Sequence, residues 1–211
     1  PWMDKIKKRS RRQRNKARAY RKHIKRLIQK GWPTGAYRKL SSAAVQKTLD
    51  PIEIAVVRAE IAHGYFIFGK DKLALNLSKK TYEEFGDLIP LASWVGGLSA
   101  WRQGKIREAA FYFKRLGENI EASTKLKSAG AFWASRAHLI NHQPRKANES
   151  LKQAAKSPDS FYGMLARKAL GMSTGLNMTM DIKNDDIQKL ISNYIYQQTA
   201  TLITSLGLWK I

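Results

Sequence analysis

Residues 50–69, DPIEIAVVRAEIAHGYFIFG, carry the signals of a helix that ends in a tight turn. Asp50 is a favourable N-cap residue, Pro51 suits the first helical position, and Glu53 can complete a capping box. Gly69 is predicted to end the helix, because glycine readily adopts the left-handed conformation of a C-terminal turn. The predicted apolar stripe, at helical spacing, comprises Ile54, Val57, Ile61, Tyr65 and Phe68.

The same pattern of a helix, a tight turn and a second helix recurs along the chain. Residues 70–86 form the predicted partner helix, residues 89–104 and 105–117 a second pair, and residues 124–143 and 144–157 a third. Gly69 and Gly104 are 35 positions apart, and the NHQP turn follows roughly 38 positions later. This period is typical of stacked helical pairs. We therefore predict an all-α fold, a right-handed α-superhelix or TPR-like solenoid, in which Gly96 and Gly97 permit close helix packing.

Positive charge is concentrated at the beginning of the chain. The 211 residues carry a net charge of +23, and residues 1–30 contain 14 Lys or Arg and one acid. We predict a basic N-terminal arm or helix over residues 1–30 and an α-superhelical domain over residues 31–211. Such an arm suits nucleic acid, another anionic polymer or an acidic membrane surface, although a solvated lead-in helix is the alternative. The residues predicted to bind an anionic polymer are Arg11, Arg12, Arg14, Arg18 and Arg21.

The composition excludes several kinds of site. Without cysteine the chain has no disulfide or thiolate metal site, and no apolar run approaches the ~18 residues of a membrane span. His138 and His142 are four residues apart but lack the adjacent carboxylate of a zinc motif, so we expect no metal. No cofactor motif is present either. The eight glutamates lie in contexts typical of solvated helix faces or caps, so no catalytic residue is predicted.

Aromatic residues at helical spacing have two interpretations, core packing or contact with sugar rings. Packing is the more common role, but the surface of a solenoid also exposes rings and arginines to a ligand. Asp159 and Ser160 are the N-cap candidates for a helix in SFYGMLARKALG, residues 160–171, and Phe161 and Tyr162 are both predicted to anchor that helix against the preceding pair. The candidate glycan-binding residues are Trp101, Arg102, Trp133, Arg136 and Tyr162.

Two segments together resemble a known family. AGAFWASRAHL, residues 129–139, followed by SFYGMLARKALG resembles the superhelical region of the soluble lytic murein transglycosylases. GWPTGAYRKL, AEIAHGYFIFGKD and PLASWVGGLSAWRQGKIREAAFYF are also similar to segments of that family, and the likeness covers about residues 22–211. It implies a periplasmic protein that binds peptidoglycan.

The family's activity implies a catalytic domain that these residues do not match. The family cleaves the β-1,4 bond between N-acetylmuramic acid and N-acetylglucosamine, using a glutamic acid in a lysozyme-like C-terminal domain. Glu149-Ser150 continues into Leu-Lys and lacks the family's later Gly-Leu-Met-Gln motif, so it is not that glutamate. An apolar stripe from Ile191 to Leu206 predicts a further helix, after which we expect the chain to end before the catalytic domain, and to be inactive alone. The alternative is a TPR-like scaffold that binds nucleic acid or an acidic protein through the basic arm.

Overall fold

The computed structural model describes residues 9–173, which form α-helices and no β-strand within that range. A 3-10 turn, Gly86–Leu88, lies between the fifth and sixth helices. The helices are α1 Arg11–Gln29, α2 Pro33–Leu40, α3 Ala43–Gln46, α4 Pro51–Ile67, α5 Asp71–Phe85, α6 Pro90–Arg102, α7 Ile106–Glu118, α8 Thr124–Ile140, α9 Pro144–Ala155 and α10 Phe161–Ala169. The predicted all-α class is confirmed.

Helices α4 to α9 form three consecutive pairs. Each helix packs on the next one along the chain, α4 also contacts α6, and α8 also contacts α10. This arrangement is the solenoid-like stacking that the repeat predicts, because each pair buries its apolar face against its neighbour. The right-handed sense of the superhelix stays a prediction. The helix predicted from the Ile191 to Leu206 stripe lies outside the described residues.

The predicted caps and turns are present where the sequence indicates them. The Asp50 carboxylate accepts a hydrogen bond from the backbone N–H of Ile52, and Glu53 accepts one from the backbone N–H of Asp50. Gly69 and Gly104 have φ of +72° and +71°, which glycine adopts without the strain that a side chain causes. The stripe prediction is wrong at one position. Phe68 is the C-cap residue of α4 and is 47% exposed, because it lies beyond the packed part of the helix.

Gly96 and Gly97 permit the close helix packing predicted for them. A Cβ atom on Gly97 would lie 2.5 Å from the Phe113 ring, and one on Gly96 would lie 3.2 Å from the Tyr112 ring. Phe113 is fully buried. Helices α6 and α7 therefore approach closely enough for an aromatic ring on one to lie against the backbone of the other.

Helix α1 is part of the folded core. Its buried residues Ala17 and Ile24 share one apolar cluster with Val57 and Ile61 of α4. The basic segment from residue 11 onwards is thus an amphipathic helix packed on α2 and α4. Among residues 9–173, we find no helix that is both long and apolar enough to cross a membrane.

Helix α10 corrects the sequence prediction for one of its two rings. Its buried residues are Gly163 and Ala166, and Tyr162 is half-buried against Phe132. Phe161 is 52% exposed, so its prediction as a packing anchor is wrong. Successive helical residues differ by about 100° around the axis, so a helix that packs through Gly163 and Ala166 turns Phe161 towards solvent.

Candidate functional site

The exposed face of α1 is a dense group of basic side chains. Seven of them, exposed on the helix, form no ion pair with an acidic residue of residues 9–173. We call these residues the α1 basic face: Arg11, Arg12, Arg14, Lys16, Arg18, Lys22 and Arg26. The first turn of α1 contains no acid, although the positive end of the helix dipole disfavours cations there. The local stability of the helix therefore does not explain this charge.

The sequence of α1 explains why this face points outward. Ser10 and Gln13 form a reciprocal capping box. The backbone N–H of Gln13 donates to Ser10 Oγ at 3.2 Å, and the backbone N–H of Ser10 donates to Gln13 Oε1 at 2.9 Å. Ala17 and Ile24, with the partly buried Tyr20, occupy the opposite face and pack on the core. The helix is thus fixed in rotation, and its charged side remains in solvent.

Arg21 is one of the five arginines predicted to bind an anionic polymer. In the structure it lies beside an acidic side chain of the same chain, Glu53. Its Nη1 is 3.7 Å from Glu53 Oε1, and Arg9 Nη2 is 2.8 Å from Glu53 Oε2. Glu53 is buried, so these two arginines neutralise a carboxylate that also caps α4. Arg11, Arg12, Arg14 and Arg18 are exposed, as a binding role requires. The clamp around Glu53 was missed from sequence because Arg9 and Arg21 are far from Glu53 along the chain.

Glu60 is a second acid of α4 on the side of α1. Burial raises the pKa of its carboxyl group, and the positive charges of Arg21 and Lys25 oppose that increase. The inner side of α1 therefore faces Glu53 and Glu60, whereas the α1 basic face has no such partners among the described residues.

The candidate glycan-binding aromatics lie on consecutive first helices of the pairs. Trp101 of α6 and Trp133 of α8 contact edge to face, with ring centroids 5.2 Å apart. Phe132 of α8 and Tyr162 of α10 are 5.4 Å apart. The structure thus joins Trp101 with Trp133 and places Tyr162 against the residue next to Trp133 in sequence.

Core packing accounts for part of this aromatic row. Trp133 also stacks on the buried Phe113, with centroids 5.9 Å apart and an angle of 29° between the planes. Its Nε1 atom is buried and has no hydrogen-bond acceptor among the described residues. Trp101, Trp133 and Tyr162 are all half-buried, so part of each side chain is packed and part remains accessible to a ligand.

The two candidate arginines differ in availability. Arg102 forms an ion pair with Asp71, and its guanidinium lies 3.7 Å from the centre of the Phe66 ring. It therefore connects α6 with α4 and α5. Arg136 is exposed and makes no hydrogen bond or ion pair within the described part of the chain. Only Arg136 has its guanidinium free to contact a ligand carboxylate.

His138 and His142 lie in different surroundings. His138 is buried within α8, whereas His142 lies in the following turn with φ of +56°. The Nδ1–H of His138 donates to Oε1 of Gln143 at 3.0 Å, in the tautomer that this bond favours. Burial chiefly lowers the pKa of His138, with the cations Lys146 and Lys114 acting in the same direction. Within residues 9–173 no three His, Asp or Glu side chains are grouped as a metal would require.

No family model matches this chain, and no curated protein sequence matches it.

Proposed function

We propose that this chain is the non-catalytic superhelical domain of a lytic murein transglycosylase, and that it binds peptidoglycan for a separate catalytic domain. The observation that carries the proposal is the α1 basic face, a row of exposed cations on a helix anchored in the solenoid core. Peptidoglycan is an anionic polymer, because its stem peptides end in carboxylates, and exposed arginines bind carboxylates well. The proposal implies a periplasmic location.

The two segments that resemble this family support the proposal by their packing. Residues 129–139 lie in α8, and residues 160–171 contain α10 with its flanking residues. The Ser160 hydroxyl donates to the Ser128 hydroxyl at 2.7 Å, and Phe132 contacts Tyr162. Phe132 and Tyr162, one from each segment, therefore help to join the third pair to the next helix.

Contact with the glycan is proposed for the exposed side of the aromatic row. The outer edges of Trp133 and Tyr162 can pack on sugar rings, while Arg136 contacts a stem-peptide carboxylate. Arg102 is removed from this set because Asp71 and the Phe66 ring already occupy its guanidinium.

Single-stranded nucleic acid is the less favoured polymer for the α1 basic face. Proteins that bind single strands without sequence preference combine basic residues with aromatic rings on which bases stack. Tyr20 is the aromatic residue of α1; it packs partly into the core, and the Lys39 ammonium lies 5.5 Å from its ring centre. Its ring therefore offers little surface for a base.

Sedimentation with purified peptidoglycan sacculi tests the proposal. The variant with Arg11, Arg12, Arg14 and Arg18 changed to Gln should bind about tenfold more weakly, since four exposed ionic contacts together contribute a little over 1 kcal/mol. The matched control removes equal charge from other exposed lysines that have no ion pair among residues 9–173. The control positions are Lys80, Lys125, Lys152 and Lys156. Equal weakening by both variants, or displacement of the protein by DNA but not by soluble peptidoglycan, would refute the proposal.

A second measurement concerns activity. Mass spectrometry of sacculi incubated with the 211 residues should detect no anhydro-muropeptides above a buffer control, because the family's catalytic glutamate motif does not occur in this sequence. Release of such products that is abolished by Glu149→Gln would show that the chain has its own active site.

A further inference from the structure

Four turns lie side by side along one edge of the described domain. A Cβ atom on Gly31 would lie 3.4 Å from the Phe68 ring, which brings the α1–α2 turn next to the α4–α5 turn. The side-chain amide of Gln103 donates to the backbone oxygen of Asp71 at 3.1 Å, so the α6–α7 turn is next. A shallow cleft lined by residues 104–108, 140 and 141 joins that turn to the α8–α9 turn. We call this surface, with turns at residues 30–32, 68–70, 103–105 and 141–143, the turn edge.

The turn edge exposes large apolar side chains. Six of the eleven exposed large apolar residues in residues 9–173 lie here, each between 45% and 60% exposed. They are Trp32, Ile67, Phe68, Leu73, Leu139 and Ile140. Two large apolar residues stand in succession at the end of α4, Ile67 and Phe68, and at the end of α8, Leu139 and Ile140. These residues are exposed, unlike those of the buried middle of each helix. Such a concentration at one edge is typical of an interaction surface.

The same edge is strongly basic. Seven exposed cations around the turns have no ion pair with an acid among residues 9–173: Lys30, Lys70, Lys72, Lys105, Arg107, Arg145 and Lys146. The acids beside these turns are Asp71, which pairs with Arg102, and Glu108. Lys70 and Lys105 occupy helix N-cap positions without a side-chain capping bond, where the helix dipole disfavours a cation. Helix stability therefore does not account for these charges.

We propose that the turn edge docks on the surface of an anionic phospholipid bilayer. The apolar side chains enter the boundary of the hydrocarbon region, and the surrounding lysines and arginines contact the lipid phosphates. Branched aliphatic side chains such as Ile67, Leu139 and Ile140 gain from contact with hydrocarbon, which glycan strands and nucleic acids do not provide. This inference is independent of the α1 basic face and goes beyond peptidoglycan binding.

The absence of cysteine from the sequence permits a direct test by single labelled positions. Ile67→Cys and Ile140→Cys carry an environment-sensitive fluorophore at the turn edge. Ile120→Cys is the matched control, because Ile120 is 86% exposed and lies in the α7–α8 connection. Successive helices alternate in direction, so this connection lies at the opposite end of the helical pairs from the turn edge. The probe vesicles contain phosphatidylcholine with about a third phosphatidylglycerol, or phosphatidylcholine alone.

Anionic vesicles should brighten and blue-shift the fluorophore at positions 67 and 140 but not at position 120. Neutral vesicles should leave all three unchanged. No change at positions 67 and 140, or an equal change at position 120, would overturn the inference. A change at positions 67 and 140 with a soluble acidic protein but not with vesicles would also overturn it, because the partner would then be a protein.

Vesicle sedimentation tests the charged part of the same surface. Each basic residue near an anionic bilayer strengthens binding about fivefold, so Lys72→Gln with Arg107→Gln should weaken binding about 25-fold. Lys80→Gln with Lys156→Gln removes the same charge elsewhere and should change binding less than about threefold. Equal effects of the two double variants would contradict a specific role of the turn edge. If the unaltered chain bound sacculi but did not sediment with anionic vesicles, this inference would be wrong and the proposed function would stand.

Discussion

Replacement of Glu53 by glutamine should loosen α1 from the solenoid and destabilise the whole domain. Glu53 is buried, and its carboxylate lies 2.8 Å from Arg9 Nη2 and 3.7 Å from Arg21 Nη1. It also accepts a hydrogen bond from the backbone N–H of Asp50, the N-cap residue of α4. A single side chain thus caps one helix and holds the beginning of another.

The expected magnitude follows from these contacts. Glutamine preserves the size of the side chain and one acceptor oxygen, so the cavity and capping losses are small. The loss of charge leaves two arginines beside a neutral group, and breaking a buried ion pair usually costs about 3–5 kcal/mol. The Arg21 side chain is 34% exposed and retains part of its hydration, which reduces that cost. We expect the free energy of unfolding to fall by about 2–3 kcal/mol.

Urea denaturation followed by circular dichroism measures this difference. Glu83→Gln is the matched control, because Glu83 is exposed and pairs with Lys79 at 3.9 Å across one turn of helix α5. That variant should lose less than about 0.5 kcal/mol. If Glu53→Gln also remained within about 0.5 kcal/mol of the wild type, the clamp between α1 and α4 would not stabilise the fold and our reasoning would be wrong.

Three further predictions concern burial. Phe161→Ala should lower the free energy of unfolding by less than about 1 kcal/mol, whereas Phe113→Ala should lower it by about 3–5 kcal/mol. The reason is that Phe113 is buried and Phe161 is exposed, and urea denaturation of both variants measures the difference. Gly163→Ala should cost about 2 kcal/mol or more in the same assay, because the added Cβ would lie 1.8 Å from the backbone oxygen of Ser157. The pKa of His138 is lowered in the fold from its ordinary 6.5, so the unfolded chain binds the proton first. Stability should therefore fall as the pH drops below about 6.5, and His138→Asn should reduce that slope in denaturation curves measured at several pH values.

Local signals in the sequence predict much of this fold. The caps at Asp50 and Ser160 and the turns at Gly69 and Gly104 depend on residues close in the chain, and all four are present in the structure. Orientation around a helix axis is harder to predict. The buried face of α10 is determined by the close approach of Gly163 to Ser157 and by the contact with α8. The spacing of apolar residues in the sequence indicates neither contact.

The candidate site shows the same division between local and long-range information. The exposed arginines of α1 follow from amphipathic periodicity, because Ala17 and Ile24 define the opposite face. The internal partners of Arg21 and Arg102 are 31 or more positions away in sequence. The sequence alone therefore does not distinguish Arg21 and Arg102 from available cations, although Glu53 and Asp71 lie beside them.

Nuclear magnetic resonance of the isotopically labelled chain, titrated with soluble uncross-linked peptidoglycan strands, measures directly whether this domain binds peptidoglycan. We expect salt-sensitive shifts at the side-chain Nε–H groups of Arg11, Arg12, Arg14 and Arg18, together with shifts at Arg136 and Tyr162. The Nε–H of Arg102 should shift much less, because its guanidinium is held by Asp71. Saturating strands that leave the α1 arginines and Arg136 unchanged would contradict peptidoglycan binding by this domain.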